Sequence, residues 1–199
     1  MYRMLLPLFA MAILLTGCTQ DSSQTMDKTS SSTLVGFDGK LLSGMHTVVL
    51  ETSKGDITLE LDANQAPKTV TNFVVLAQVG YFNGLPLHRV IPDFMIQGGD
   101  PNGDGTGGES IFGPTFEDEP SEILMDRGVI AMANRGPDTN GSQFFIIQKE
   151  DGTPWLQGKH TAFGKVIKGM NIVDTITNVD RDARDQPLEP ITFTVTVIQ

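Results

Sequence analysis

Arg89 begins a stretch of sequence that combines one cation with an aromatic ring, a thioether and an amide. Phe94, Met95 and Gln97 follow it within the segment 87–100. Side chains alternate between the two faces of a strand, so Arg89 points away from the side taken by its immediate neighbours. A guanidinium stays charged at every relevant pH and only donates hydrogen bonds. The segment could therefore hold a fixed donor beside an apolar surface.

Two later segments supply similar groups. In residues 132–145, strand geometry places Gln143 and Phe145 on one face and Phe144 on the other. Residues 155–164 form a glycine-containing loop with three further candidates, Trp155, Leu156 and His160. An apolar slot beside one cation and two amides is typical of a pocket that holds an apolar ring and hydrogen-bonds a peptide. A second interpretation stays open: the aromatic rings could fill a β-barrel while the arginine forms a surface ion pair.

Two other motifs lack the neighbouring residues that their functions require. Residues 103–108 match the G-x-G-x-x-G pattern, but the residues after them do not begin the helix that dinucleotide binding requires. Residues 100–105 match the first half of a calcium loop, whose twelfth position requires a glutamate and is Ile111 here. We interpret this stretch as a glycine-rich turn. The histidines lack ligand spacing and no G-x-S-x-G motif occurs, so we expect no metal ion and no cofactor.

The composition limits the functions that the chain could have. It has 199 residues, of which 39% are hydrophobic, enough for one domain with a sizeable core. It carries 14 Lys and Arg against 24 Asp and Glu, a net charge of −10. This balance argues against binding nucleic acid or anionic lipid, because both need basic side chains. Cys18 is the only cysteine, which excludes an internal disulfide and a cluster of thiolate metal ligands.

Residues 1–17 have the pattern of a signal peptide. Arg3 is the only charge, and the apolar run that follows is too short to span a bilayer. The run ends in Leu15-Thr16-Gly17-Cys18, which resembles the lipobox of bacterial lipoproteins. The resemblance implies cleavage before Cys18 and lipidation of that cysteine. An ordinary secretory signal followed by a stray cysteine is the alternative.

Residues 18–45 are predicted to be the lipidated cysteine and a flexible tether, because residues 19–32 are rich in Ser, Thr, Gln and Asp and offer little to bury. Residues 35–45 could be either part of this tether or an entry segment to the domain. We expect the protein to face the periplasm in a bacterial cell envelope, attached to the membrane only through its lipid. Some Gram-negative sorting rules disfavour the outer membrane when Asp follows the cysteine. Thr19 stands at that position, which favours the outer membrane.

From about residue 46 the sequence has the pattern of short strands with two helical stretches. The strands are predicted at 47–51, 56–62, 87–90, 94–98, 128–133, 143–148, 161–165 and 191–197. The helices are predicted from Pro67 to near Gly80 and at 170–177. Short strands with Gly and Pro turns favour a sandwich or a barrel, and the last strand should pair with an early one because closure removes exposed edges.

The same segments resemble the cyclophilin family of peptidyl-prolyl isomerases. The motifs FMIQGGD, GTGG, FEDE, MAN-x-GP-x-TNGSQFF and WLQGKH-x-x-FGKV stand in the family's order within residues 46–199. The resemblance implies a mainly β fold, a closed eight-stranded antiparallel barrel capped by two α-helices. It also implies catalysis of rotation about X–Pro bonds in proline-containing polypeptides, which would assist the folding of exported proteins. Nothing in the sequence indicates an oligomer, so we expect a monomer.

The family's site residues carry over by motif. The resemblance implies that catalysis rests on Arg89, Phe94, Gln97, Asn134, Phe145 and His160. It implies that the substrate is also bound by Met95, Gly105, Ala133, Gln143, Trp155 and Leu156. The tryptophan commonly contacts the inhibitor cyclosporin in this family, so cyclosporin is an expected ligand. Leu87 departs from the family's usual phenylalanine before the His-Arg pair.

Two other interpretations remain at this point. A cyclophilin scaffold could dock proline-containing partners without catalysing their isomerisation, but such a binding module would not need Arg89. A structural lipoprotein could use the same aromatic residues only to fill its barrel. Catalysis is favoured because the arginine and its surrounding motif residues are all present.

Overall fold

The computed structural model describes residues 37–198. The predicted signal peptide, Cys18 and most of the predicted tether lie outside this range. The strands of the described range are β1 (Met45–Thr52), β2 (Gly55–Asp62), β3 (Leu85–Pro86), β4 (Arg89–Ile91), β5 (Met95–Gly98), β6 (Val129–Met132), β7 (Phe144–Ile147), β8 (Ala162–Lys168) and β9 (Thr192–Val197). The helices are α1 (Pro67–Gln78), α2 (Met170–Thr177) and a short 3₁₀ helix (Pro154–Leu156).

The first two strands form the predicted hairpin. They pair antiparallel from Met45 opposite Asp62 to Thr52 opposite Gly55. Gly55 has a φ of 128°, a backbone conformation that suits glycine and that closes the turn. Every second side chain of β2 is buried, as the alternation in the sequence predicts.

Both helices lie where the sequence predicts them. Pro67 occupies the first turn of α1, and the predicted apolar positions of this helix are buried. The start of α1 is capped from a distant loop: the Glu119 carboxylate accepts hydrogen bonds from the backbone N–H groups of Lys68 at 2.9 Å and Thr69 at 2.7 Å. This contact spans about 50 residues of sequence, so no local pattern predicts it.

The strands form one curled nine-stranded sheet in the order β3-β9-β1-β2-β8-β6-β7-β5-β4. As predicted, the last strand pairs antiparallel with the first. The prediction of a closed eight-stranded barrel is wrong, because β3 and β4 lie at the two ends of this sheet and no ladder joins them. The described chain is mainly β, with two α-helices.

The difference arises in the segment predicted as one strand at 87–90. Here the chain forms two short strands, which are separated by Leu87 and His88. Pro86 ends the first and has no N–H to extend a ladder. β3 pairs with β9, whereas β4 pairs with β5. The covalent chain, rather than a hydrogen-bonded ladder, therefore connects the two ends of the sheet.

Buried apolar residues form two clusters. The larger one is the main core, and five of its phenylalanines are almost fully buried: Phe73, Phe82, Phe144, Phe163 and Phe193. The smaller cluster contains Met95, Met125, Val129, Ala131, Phe145, Ile147 and Ala162. Successive residues of β7 enter different clusters, which confirms that Phe144 and Phe145 point to opposite faces. The smaller cluster supports the candidate site.

The last part of the range assigned to the tether contacts the domain. The Phe37 ring meets Phe112 edge-on with centroids 5.4 Å apart. The backbone N–H of Leu42 donates to the Thr71 hydroxyl at 2.8 Å. Between residues 37 and 198, no helix has the length and apolar character needed to cross a membrane.

Candidate active site

A cavity of about 210 Å³ lies over the smaller apolar cluster. Strands β4, β5 and β7 and the loops after β6 and the 3₁₀ helix bring its lining together. Each lining residue is one that the sequence predicts for the site: Arg89, Phe94, Met95, Gln97, Ala133, Asn134, Phe145, Leu156 and His160. Residues far apart in the chain therefore converge as expected.

The floor of this cavity is apolar and mostly buried. Met95 and Phe145 are only 1% and 5% exposed, and Phe94 and Leu156 pack against their cluster. His160 meets the Phe145 ring edge-on, with centroids 5.3 Å apart and planes at 88°. Such a floor can hold a small apolar ring by contact alone.

Arg89 reaches this floor from the edge of the sheet. It pairs with Gln97 across the β4–β5 ladder, and its Nη1 donates to Gln97 Oε1 at 3.5 Å. Gln97 Nε2 donates to Gln143 Oε1 at 2.9 Å, and Gln143 Nε2 donates to the carbonyl oxygen of Gly107 at 2.8 Å. This chain of hydrogen bonds fixes the orientation of both amides. Within the described residues, Arg89 forms no ion pair with a carboxylate.

His160 presents a neutral ring to the cavity. Its Nδ1 lies 2.9 Å from the carbonyl oxygen of Met132, which can only accept, so Nδ1 carries a proton. Burial lowers the pKa of His160 below its ordinary 6.5, although the bond to Met132 opposes this shift. The His160 ring that lines the cavity is therefore uncharged at neutral pH.

The side chain of Asn134 joins two loops. Its Nδ2 donates to the carbonyl oxygen of Lys159 at 2.8 Å and to Asp118 Oδ1 at 3.3 Å. Beside it, the backbone N–H of Ala133 donates to the carbonyl oxygen of Gln143 at 3.0 Å. Because its side chain is occupied, the backbone of Asn134 is the part that can meet a peptide.

Gly105 lines a second, adjacent cavity of about 120 Å³ together with Gln143. The loop that carries Gly105 is held by Asp100, which is fully buried. The Asp100 carboxylate accepts four backbone N–H groups, from Asn102, Asp104, Gly105 and Gly107. Sequence reasoning missed this role of Asp100. The signal was an Asp before a glycine-rich turn that lacks the later ligand of a calcium loop.

Trp155 lies beside the first cavity rather than in its lining. It belongs to the 3₁₀ helix, is 51% exposed and stacks against Phe94, with centroids 6.3 Å apart and planes at 27°. The structure therefore brings all of the predicted site residues of the domain into one region. Cys18 lies outside the described residues.

Comparison with known proteins decides the family. The family model described as cyclophilin type peptidyl-prolyl cis-trans isomerase/CLD matches residues 47–197. The chain belongs to this family. It is a peptidyl-prolyl cis-trans isomerase, an enzyme that acts on proline-containing peptides.

Similar proteins occur in distant organisms. The chain is 52% identical over 146 residues to the human peptidyl-prolyl cis-trans isomerase-like 1, covering 72% of this chain and 87% of the relative. It is 46% identical over 171 residues to a putative peptidyl-prolyl cis-trans isomerase of Staphylococcus aureus, covering 72% and 87%. A crystal structure of a Cryptosporidium parvum cyclophilin superposes with a TM-score of 0.75 at 39% identity, covering 78% of this chain and 98% of that one.

Proposed function

We propose that Arg89 catalyses the isomerisation by donating a hydrogen bond to the prolyl nitrogen as the X–Pro bond twists. A planar amide is conjugated, and its barrier to rotation is about 18–20 kcal/mol. Rotation breaks this conjugation and leaves a lone pair on the nitrogen. A donor aimed at that nitrogen stabilises the twisted form more than either planar form, which is the requirement for catalysis.

The observation that carries this proposal is a guanidinium held over an apolar, ring-sized cavity, with no carboxylate partner among residues 37–198. Gln97 accepts from one nitrogen of Arg89, and further N–H groups of the guanidinium remain for a substrate. The proline ring would rest on Met95 and Phe145. Because the ring and the flanking peptide would be held, rotation would be confined to one bond.

The remaining site residues have supporting roles in the proposal. Phe94, Leu156 and His160 would close the walls around the proline ring. Gln97, the backbone of Asn134 and Gln143 would hydrogen-bond the substrate backbone. Three further residues, Gly105, Ala133 and Trp155, would contact its neighbouring residues. Support for peptide binding comes from the Cryptosporidium relative, one structure of which was determined in the presence of the dipeptide Ala-Pro.

We propose further that this isomerase is a lipoprotein of the bacterial cell envelope. The sequence ending at Cys18 supports lipidation, and Thr19 supports the outer membrane. Because the domain would face the periplasm as a monomer, its substrates would be exported proteins with exposed X–Pro bonds. Trp155, exposed beside the cavity, supports cyclosporin as an inhibitor.

The experiment that tests the mechanism compares Arg89→Ala with Arg89→Lys on a peptide with one X–Pro bond. The full chain in detergent would be used, and the cis-to-trans rate followed at saturating peptide. Loss of one preorganised donor costs about two to three decades in rate, so we expect that loss in Arg89→Ala. Arg89→Lys should recover only part of it, because an ammonium lacks the planar fork of a guanidinium. A rate in Arg89→Ala equal to that of the wild type would overturn the mechanism.

A further inference from the structure

The turn between β4 and β5 has an uncommon backbone conformation. It ends at Phe94, which lines the cavity that Arg89 lines, here called the Arg89 cavity. The backbone N–H of Phe94 donates to the carbonyl oxygen of Ile91 at 3.2 Å and closes the turn. Asp93, the residue before Phe94, has a φ of 56°, in the left-handed region that glycine adopts most readily. Such a conformation persists only where the surrounding contacts hold it.

Gln148 holds this turn through two contacts. It directly follows β7, and its backbone continues the antiparallel pairing of β7 with β5. Its backbone N–H donates to the carbonyl oxygen of Phe94 at 2.8 Å. Its side-chain Oε1 accepts from the backbone N–H of Asp93 at 2.9 Å. Gln148 therefore binds the turn at Asp93 and at Phe94, the two residues that set the direction of the aromatic ring.

The side chain of Gln148 is itself anchored to helix α2. Its Nε2 donates to Asp174 Oδ1 at 2.9 Å. Arg127 Nη2 donates to both carboxylate oxygens of Asp174, at 2.8 Å each, and Arg127 Nη1 donates to the carbonyl oxygen of Gln148. A carboxylate only accepts hydrogen bonds, so the amide of Gln148 cannot turn over without losing its bonds to both Asp174 and Asp93. The ion pair thus fixes which end of the amide meets the turn.

The position of Phe94 affects two neighbours at once. Phe94 lines the Arg89 cavity and packs against the smaller apolar cluster. Its other neighbour is Trp155, which stacks on it with centroids 6.3 Å apart. Trp155 is the only tryptophan of the chain. A displacement of Phe94 would therefore change both the shape of the cavity and the surroundings of the single indole ring.

We propose that Gln148 is a positioning residue, which holds the Asp93 turn so that Phe94 stands at the wall of the Arg89 cavity. The inference rests on the proposed function, because it takes this cavity as the place of the proline ring. Gln148 lies outside the lining of the cavity and acts through Phe94. The ring would fill the cavity in the planar and the twisted forms alike. Loss of Gln148 should therefore weaken binding of both forms, which raises KM and leaves kcat nearly unchanged.

The kinetic test compares Gln148→Leu with a matched variant, Gln65→Leu. Gln65 is also partly buried, and its Oε1 accepts from the backbone N–H of Glu122 at 3.0 Å, but neither residue lines the Arg89 cavity. The full chain in detergent would be assayed on a peptide with one X–Pro bond. We expect KM to rise about three- to tenfold in Gln148→Leu, with kcat reduced by less than about twofold. Gln65→Leu should keep the KM of the wild type, and an equal rise in both variants would overturn the proposal.

A double-mutant cycle tests whether Gln148 acts through the turn. Glycine adopts a positive φ without steric cost and keeps the backbone N–H, so Asp93→Gly should let the turn form without help. The ion pair of Asp93 with Lys149 is also lost, but Asp93 is 76% exposed and such pairs contribute little. In the Asp93→Gly background, Gln148→Leu should raise KM by at most about twofold. A full three- to tenfold rise in that background would contradict a role in holding the turn.

The near-ultraviolet circular dichroism of Trp155 tests the position of Phe94 without substrate. Phe94→Ala gives the reference spectrum of the indole without its aromatic neighbour. The spectrum of Gln148→Leu should shift toward this reference, whereas that of Gln65→Leu should match the wild type. A wild-type spectrum in Gln148→Leu would show that Phe94 has not moved and would overturn the proposal.

The two readouts separate the failure of this inference from the failure of the proposed function. If the wild type turns over the peptide and Gln148→Leu has the same KM and the same spectrum, the positioning role is wrong and the isomerase mechanism stands. If the wild type does not turn over the peptide, the proposed function fails. The spectrum then decides by itself whether Gln148 positions Phe94.

Discussion

Arg89 and Gln97 face each other across the β4–β5 ladder, and the guanidinium donates to the amide oxygen at 3.5 Å. The pairing is a consequence of strand register, which sets residues eight apart side by side. Gln97 in turn donates a hydrogen bond from its amide nitrogen to the amide oxygen of Gln143. The side chain of Gln97 thus connects Arg89, the proposed donor, with Gln143, whose amide donates to the carbonyl oxygen of Gly107 in the Gly105 loop.

Removing this connection should slow the reaction without abolishing it. In Gln97→Leu the guanidinium loses its acceptor and Gln143 loses its donor, while the size of the side chain is preserved. A net hydrogen bond is worth about 0.5–1.5 kcal/mol, so kcat/KM should fall by roughly three- to tenfold. Gln78→Leu, at the exposed end of α1, is the control and should retain wild-type kinetics. Unchanged kinetics in Gln97→Leu would show that the hydrogen bonds from Arg89 through Gln97 to Gln143 have no part in turnover.

The stability of the domain should fall in mild acid. His88 is 6% exposed, and neither of its ring nitrogens has a hydrogen-bond partner in the described part of the chain. Burial lowers the pKa of His88 below its ordinary 6.5, with Arg89 acting in the same direction and Asp100 and Asp104 opposing it. His160 is shifted in the same direction, also by burial. In mild acid the unfolded chain therefore binds more protons than the folded chain. The free energy of unfolding keeps its full value above about pH 6.5 and decreases as the pH falls below it.

A pair of melting curves isolates the contribution of His88. The wild type should lose free energy of unfolding between pH 7 and pH 5, within the range where histidines titrate. His88→Leu keeps an apolar side chain in the buried position and removes the group that must become charged. Its melting temperature should vary less with pH than that of the wild type. An identical pH dependence in the two proteins would exclude His88 as a source.

Asp100 should be a major determinant of stability in the Gly105 loop. Asp100→Asn replaces one of two carboxylate oxygens with a donor that faces other donors. Two hydrogen bonds to a charged acceptor are lost at about 1.5–3 kcal/mol each, so the free energy of unfolding should fall by about 3 kcal/mol or more. Urea denaturation measures this loss. Asp104→Asn, on the exposed side of the same loop, should cost much less than Asp100→Asn, and an equal cost in both variants would contradict the assignment.

Lipidation at Cys18 predicts how the protein partitions in cells. Cys18→Ser removes the acceptor for the lipid, so the variant should incorporate no labelled palmitate and should be absent from the outer-membrane fraction. The wild type should stay in the outer-membrane fraction and incorporate labelled palmitate. A single chain gives only marginal binding, whereas several acyl chains anchor stably. Wild-type protein that appears without label in the soluble fraction would refute the lipoprotein proposal.

The local features of the fold could be predicted from the sequence. Apolar periodicity predicts the hairpin and both helices. The tendency of sheets to avoid exposed edges predicts that the last strand pairs with an early one. The opposite directions of Phe144 and Phe145 follow from strand geometry alone. The predicted site residues carried by the motifs converge because the motifs span contiguous stretches that the fold brings together.

The features that the sequence did not predict depend on contacts between residues far apart in the chain. A strand predicted at 87–90 is interrupted because β3 and β4 pair with different partners, β9 and β5. The capping of α1 by Glu119 and the role of buried Asp100 could not be predicted, since neither follows a local period.

The most direct test of the mechanism separates binding from rotation of the bond. A peptide with one X–Pro bond would be saturated with enzyme, and NMR would measure cis–trans exchange of the bound peptide in the wild type and in Arg89→Ala. A titration would give Kd for both proteins. We predict that bound-state exchange slows by about two to three decades in Arg89→Ala, while Kd changes by less than about fivefold. Exchange at the wild-type rate in peptide bound to Arg89→Ala would contradict the central claim.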